Sequence, residues 1–255
     1  MRTKGYTWLA LIAFILTACG EANNRTYQGW VEADLIFVSP HEAGRVKTLS
    51  VREGDTVATS APLFTLDDEL QQAELRESEA ALTNARKDFE RAGALVKASA
   101  GTQKAFEDAE AALRTAEAKL SSSQTRLARR SVASPTAGTV QKVYFREGEI
   151  MPAGRPVVAL LPPENLKLRF FVPEAVLPTI SLGETAGVGC DGCPANLTAR
   201  ISFIARTAEF TPPVIYSLEE RSKLVFLVEA RPQRPEALRV GQPVSVTLSA
   251  PERKR

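Results

Sequence analysis

Two hydrophobic periods alternate along the chain. Between Asp68 and Arg130 apolar residues return every seventh position: Leu75, Leu82, Phe89 and Val96, then Phe106, Leu113, Leu120 and Leu127. Ala85, Ala92, Ala109 and Ala116 fill the position three later. The stretch is rich in Ala, Glu, Leu, Arg, Lys and Gln and contains no proline, so it predicts two helices. Ala98-Ser99-Ala100-Gly101 joins them, and the sustained heptads predict an antiparallel coiled-coil hairpin whose alanines allow close approach. Each arm of about 30 residues would reach about 45 Å at 1.5 Å per residue. A bundle domain would want a third helix, since two helices alone bury little apolar surface.

On either side the period drops to two, and the flanks repeat each other. Gly44, Val46, Gly54, Pro62 and Leu66 map onto Gly138, Val140, Gly148, Pro156 and Leu160 at a constant offset of 94 residues, without a gap. Each copy reads as short strands with glycine at the turns. Neither has enough apolar surface to stand alone, so residues 42–67 and 133–163 are expected to fold together as a sandwich, with 68–131 as an excursion from it. From Leu166 onward the pattern predicts a small barrel over 164–250. Leu166–Val172 is apolar-rich, strands fall at Thr185–Gly189, Leu197–Ala205, Leu224–Arg231 and Val244–Leu248, and a short helix at Glu174–Ile180 and a tail at 251–255 complete the module. The fold class is therefore α+β, elongated and multi-module.

The N-terminus adds an address. Arg2 and Lys4 precede an apolar run from Trp8 to Thr17 that is short for a membrane span and right for a signal peptide, 1–18. Leu16-Thr17-Ala18-Cys19 is similar to a bacterial lipobox, which implies cleavage before Cys19 and lipidation of that residue. Residues 19–41 would then be a lipid-anchored linker and first strand.

Charge and composition exclude more than they select. Without Arg2 and Lys4, the 32 basic residues become 30, equal to the 30 acidic ones, so nothing favours nucleic acid as a partner. His41 is the single histidine, and no nucleotide-binding loop or metal-ligand helix spacing is present. Neither an enzyme nor a cofactor is expected. Cys190-Asp191-Gly192-Cys193 sits where a hairpin turn is predicted. A turn disulfide, two free thiols, a redox pair and half of a metal site all remain open.

A sandwich split by a helical hairpin and followed by a barrel resembles the membrane fusion proteins, the periplasmic adaptors of tripartite efflux and type I secretion, of the haemolysin-secretion-D-like kind. The resemblance runs from about Tyr27 to Leu248. It is carried by Ala43-Gly44-Arg45-Val46 with Glu53-Gly54-Asp55-Thr56-Val57, by Ser134-Pro135-Thr136-Ala137-Gly138-Thr139-Val140 with Glu147-Gly148-Glu149, and by Glu209-Phe210-Thr211-Pro212 with Leu238–Leu248. The last two segments are similar to adaptors of ABC-type exporters.

The resemblance implies that the split sandwich is lipoyl-like. It implies an inner-membrane transporter, an ABC permease, and an outer-membrane TolC-type channel as partners. It also implies self-assembly as a ring, commonly a hexamer, and periplasmic residence with membrane lipid on Cys19. The inner membrane is favoured, although Gly20 after Cys19 leaves the outer membrane open. Channel-docking adaptors commonly carry Arg, Leu four later and Ser seven after that; here these are Arg91, Leu95 and Thr102, a hydroxyl replacing a hydroxyl. Larger adaptors build a fourth module from both chain ends. Here only Tyr27–Val38 and a few C-terminal residues are available for one, so it is expected to be rudimentary or missing. A structural coiled-coil lipoprotein of the envelope is the alternative. A lipoyl or biotinyl carrier is disfavoured, because residues 64–74 and 126–136 contain no lysine.

Overall fold

The computed structural model describes residues 25–210 and 224–248. The signal peptide, Cys19 and the tail at 251–255 lie outside the described residues. In chain order β1 (Thr26–Ala33), β2 (Ile36–Val38), β3 (Gly44–Leu49), β4 (Thr56–Val57) and β5 (Pro62–Leu66) lead to α1 (Glu69–Lys97) and α2 (Gln103–Ala128). Next come β6 (Ser131–Ala133), β7 (Gly138–Val143), β8 (Ile150–Met151) and β9 (Val158–Leu161). The series ends with β10 (Leu166–Pro173), β11 (Thr185–Gly189), β12 (Leu197–Ile204), β13 (Glu209–Phe210), β14 (Leu224–Pro232) and β15 (Pro243–Thr247). The chain divides into two compact units, one of residues 34–163 and one formed by the segments before and after it.

In the unit 34–163 the 94-residue repeat becomes a reciprocal exchange. β3 pairs with β8 at Gly44 and Met151, and β4 pairs with β7 at Val57 and Gly138, the same contact with the copies interchanged. Gly54 N–H donates to the Val140 carbonyl and Gly148 N–H to the Val46 carbonyl, both at 2.8 Å. Carboxylates follow the rule: Glu147 accepts from Leu49 N–H at 2.8 Å, and Glu53 accepts from Val143 N–H at 3.1 Å. Each copy thus satisfies backbone groups that the other would leave unpaired. The two sheets, β2-β9-β7-β4 and β6-β5-β3-β8, enclose a core that includes Val46, Leu63, Phe64, Leu66, Val140 and Leu160. Burying each such side chain contributes about 1.5–3 kcal/mol.

The repeat is longer than its sequence signature. β2 sets Val38 opposite Val158, and β6 sets Val132 opposite Phe64, again one contact moved by 94 residues. Residues 19–41, read as one linker with a first strand, contribute to both units. β2 covers the edge of β9, and β1 enters the second unit. An edge strand left bare exposes its hydrogen-bonding groups, which is the physical reason both short segments are recruited.

The second unit is a closed six-stranded barrel in the order β10-β1-β15-β11-β12-β14, with β14 returning to β10 and β13 added outside β14. β10 alternates strictly, with Leu166, Leu168, Phe170 and Val172 buried. Outward on the same strand, Arg169 pairs with Glu32 at 2.7 Å, and Lys167 pairs with Glu229 at 3.3 Å. Both ends of the described chain meet here, since β1 lies between β10 and β15. The helix expected at Glu174–Ile180 is only a 3₁₀ turn at Leu177–Thr179, because Pro178 cannot donate a backbone hydrogen bond.

The two copies predict unequal responses at equivalent glycines. A Cβ on Gly138 would lie 2.7 Å from the Leu161 carbonyl oxygen and 2.9 Å from its carbon, whereas on Gly44 its closest neighbour is the Arg130 guanidinium at 2.8 Å. Backbone yields less than a side-chain tip. Gly138→Ala should therefore cost about 1–3 kcal/mol and Gly44→Ala clearly less, as measured by urea denaturation.

Candidate functional site

The helical excursion is rooted in the sandwich. Leu66 N–H donates to the Arg130 carbonyl at 2.8 Å, and Thr65 pairs with Ser131, so both helices leave from one β ladder. Asp68, just before α1, accepts from Lys47 Nζ at 2.8 Å and from Gln72 Nε2 at 2.7 Å. On the return side the Arg130 guanidinium donates to the Ala43 carbonyl at 3.0 Å and to Glu42 at 3.1 Å. The hydrogen bond from Lys47, and then that from Gln72, holds the Asp68 carboxyl below the usual carboxylate range. The same contact with Asp68 raises the Lys47 ammonium.

The helices pack antiparallel. Phe89 and Phe106 have ring centroids 5.1 Å apart. Further toward the root the buried hydroxyls of Ser78 and Ser123 meet at 2.8 Å. Glu77 and Lys119 pair across the helices at 3.1 Å and Glu74 and Arg126 at 3.7 Å, all four beside the serines. Subtracting seven from Ala85, or adding seven to Ala116, reaches these serines. The heptad pattern therefore held the signal, but a search for apolar residues passes over it.

At the far end α1 closes with a Schellman motif. Ser99 takes φ 57°, Ala100 N–H donates to the Leu95 carbonyl at 2.8 Å and Ser99 N–H to the Val96 carbonyl at 2.9 Å. α2 opens with Thr102 as N-cap, its hydroxyl accepting from Ala105 N–H at 3.1 Å. The loop is tight: a Cβ on Gly101 would lie 2.9 Å from Leu95 Cβ. Leu95 is 44% exposed while Val96 is half-buried, so Val96 is the last seam residue and Leu95 faces solvent. Arg91, one turn earlier on α1, pairs with Asp88 at 3.2 Å, with both side chains largely exposed. Such a pair contributes at most about 0.5 kcal/mol and leaves the guanidinium able to exchange partners.

Cys190 and Cys193 flank the turn after β11, with Cα atoms 5.2 Å apart, inside the range a disulfide requires. Gln242 Nε2 donates to Cys193 Sγ at 3.8 Å. Among the described residues no group of three or more His, Cys, Asp or Glu side chains is gathered to hold a metal ion. No described helix is long and apolar enough to cross a membrane.

With this geometry the chain superimposes on a membrane fusion protein from Streptococcus pneumoniae at a TM-score of 0.69 and 20% identity, covering 88% of this chain and 99% of the other. The fold is that of the membrane fusion proteins. A MacA–MexA chimera containing the Pseudomonas aeruginosa MexA α-hairpin domain also gives 0.69, at 17% identity over 88% of this chain and 80% of that one. No family model matches the chain. Curated relatives described as UPF0194 membrane proteins come from Acidithiobacillus ferridurans (33% identical over 66% of this chain) and Yersinia enterocolitica (31% over 48%). The alignments cover 51% and 38% of those relatives, so the chain spans about half their length or less.

Two predictions concern the ends of this helical hairpin. Ser99→Gly should stabilise α1 by about 0.5–1 kcal/mol, because glycine adopts positive φ without a Cβ penalty. Thr102→Ala should cost about 1 kcal/mol, and Thr102→Ser should restore it; thermal denaturation reads all three. The second concerns pH. Asp68 has a depressed folded pKa, so its contribution exists above the ordinary carboxylate value and is lost as pH falls through the folded one. Lys47, raised, contributes below its ordinary value and loses that contribution as pH rises through the folded one. Acidification should therefore loosen the first turn of α1, read as faster exchange of the Gln72 amide after correction for intrinsic rate, and Asp68→Asn should remove the response.

Proposed function

We propose that this chain is the periplasmic adaptor of a tripartite efflux or secretion system, joining an inner-membrane ABC-type transporter to an outer-membrane TolC-type channel. The observation that carries the reading is the insertion: an antiparallel helix pair leaves and re-enters a reciprocal repeat, and its far end presents an exposed Leu95 between two tightly capped helix ends. In this reading the repeat is a lipoyl-like sandwich and the helices form a coiled coil. Arg91, Leu95 and Thr102 form the channel-docking tip. The barrel meets the transporter, lipid on Cys19 holds the chain at a membrane with the inner membrane favoured, and several copies, commonly six, form a ring. Cys190 and Cys193 form a structural disulfide across their turn.

Resemblance to solved membrane fusion proteins and relatives described as membrane proteins support this reading. The hairpin has the size to act at a distance, since the 29 residues of α1 span roughly 44 Å at 1.5 Å each. The mechanism is mechanical: a stiff arm with a small apolar end buries that end against a partner helix tip.

A photo-crosslinker at Leu95 or Thr102 in functional protein should yield a conjugate with an outer-membrane channel, and Leu95→Asp should abolish both the conjugate and export. Conjugates with peptidoglycan-associated or inner-membrane proteins alone would favour a structural lipoprotein. Mass spectrometry of the mature N-terminus should find Cys19 acylated; an unmodified Cys19 would remove the anchor.

A further inference from the structure

The reciprocal repeat supplies an internal comparison for reading surface residues, because positions 37–67 have equivalents 94 residues later at 131–161. Glycine, glutamate and core valine positions are shared between the copies, as at Gly44 and Gly138 or Glu53 and Glu147, but one surface differs at a cluster of neighbouring positions. Phe37, Tyr144, Phe145, Arg155 and Pro156 line an open groove of about 440 Å³. Phe37 and Tyr144 are 54% and 44% exposed. The equivalent positions in the other copy are Ser131, Ser50, Val51, Ala61 and Pro62. Beside them Thr48 and Thr65 join hydroxyls at 2.6 Å, where the groove side has Lys142 and Ala159. The fold therefore does not require aromatic residues at this place, since its own other half is complete with small and hydroxylated ones.

We infer that this groove is a docking site for a segment of a partner protein that carries an apolar side chain beside a carboxylate. The apolar half follows from the floor. Phe37, Tyr144 and Phe145 bring large, rigid contact area with few rotamers to lose, the property that makes aromatic residues dominate binding energy. The acidic half follows from the rim. Lys142 Nζ lies 5.6 Å from the Tyr144 ring centre, and Arg155 is exposed. Neither cation forms an ion pair among the described residues. The neighbouring carboxylate of Glu53 is engaged by Val143 N–H. A carboxylate seated at this rim would meet the planar guanidinium of Arg155, suited to bidentate contact, with the Lys142 ammonium near the Tyr144 ring adding positive charge. This surface is separate from the hairpin tip and does not depend on the tip reaching a channel.

The full mature chain, ¹⁵N-labelled, would be titrated with capped Glu-Leu-Phe-Glu and capped Lys-Leu-Phe-Lys peptides and followed by amide shifts. The acidic peptide should shift Phe37, Tyr144, Phe145 and Arg155 and bind more tightly than the basic one. The triple variant Phe37→Ser, Tyr144→Ser, Arg155→Ala installs the residues that the other copy carries, so it should keep its melting profile while binding at least about fivefold more weakly. Equal or tighter binding of the basic peptide, or no shift at these residues at millimolar peptide, would overturn the inference. Concentration-dependent self-association in sedimentation that the triple variant abolishes would also overturn it, assigning the groove to a second copy of the chain.

Discussion

Val46 and Val140 each accept a hydrogen bond from a glycine N–H of the opposite copy, and Leu49 and Val143 each donate one to a glutamate of the opposite copy. This exchange makes a stable unit from two segments too small to be stable alone. It also fixes their register, because slipping either copy would break a set of bonds that exist only in pairs. The cost of bringing distant segments together is modest, since loop-closure entropy grows only logarithmically with the length of the insert. An excursion as long as the helical hairpin is therefore compatible with the unit that holds it.

The hairpin inherits its geometry from the same ladder. β5 and β6 are neighbours, so the chain must leave and return side by side, and Lys47, Asp68, Glu42 and Arg130 tie the helix ends to the sandwich. Farther out the seam changes character. Near the root it contains buried serines flanked by ion pairs, and nearer the far end it contains the tilted ring pair of Phe89 and Phe106. Two serine hydroxyls supply two protons for three acceptors: the partner oxygen and the carbonyls of Glu74 and Lys119. The layer is satisfied by sharing, and it gives close approach without the cavity that a truncated apolar pair would leave.

Equivalence between the copies also separates structural from functional demands. Gly44 and Gly138 share a place in the fold yet sit against a side chain in one case and backbone in the other. Where the fold alone sets the requirement, both copies keep glycine, glutamate and valine. Where the copies part, as between Ser50 and Tyr144 or Ala61 and Arg155, folding does not set the choice.

Much of this was legible in the linear chain. Heptads at Leu75, Leu82 and Phe89 and the 94-residue offset specify local structure and internal similarity, because helix period and glycine position depend on neighbours in sequence. Arg91, Leu95 and Thr102 were named through the resemblance to channel-docking adaptors, and the structure places Leu95 and Thr102 on either side of the loop that joins α1 to α2. What the chain did not disclose depends on distant pairing. Three-residue strands such as Ile36–Val38 and Ser131–Ala133 carry too few residues to show a period, and they become strands only because an unpaired ladder edge awaits them. The entry of β1 into the barrel, the meeting of Ser78 with Ser123, and the solvent-facing position of Leu95 beside half-buried Val96 were likewise decided in three dimensions. Local periodicity determined which elements exist. Tertiary pairing, driven by the cost of leaving backbone donors and acceptors unsatisfied, determined which of them stand together.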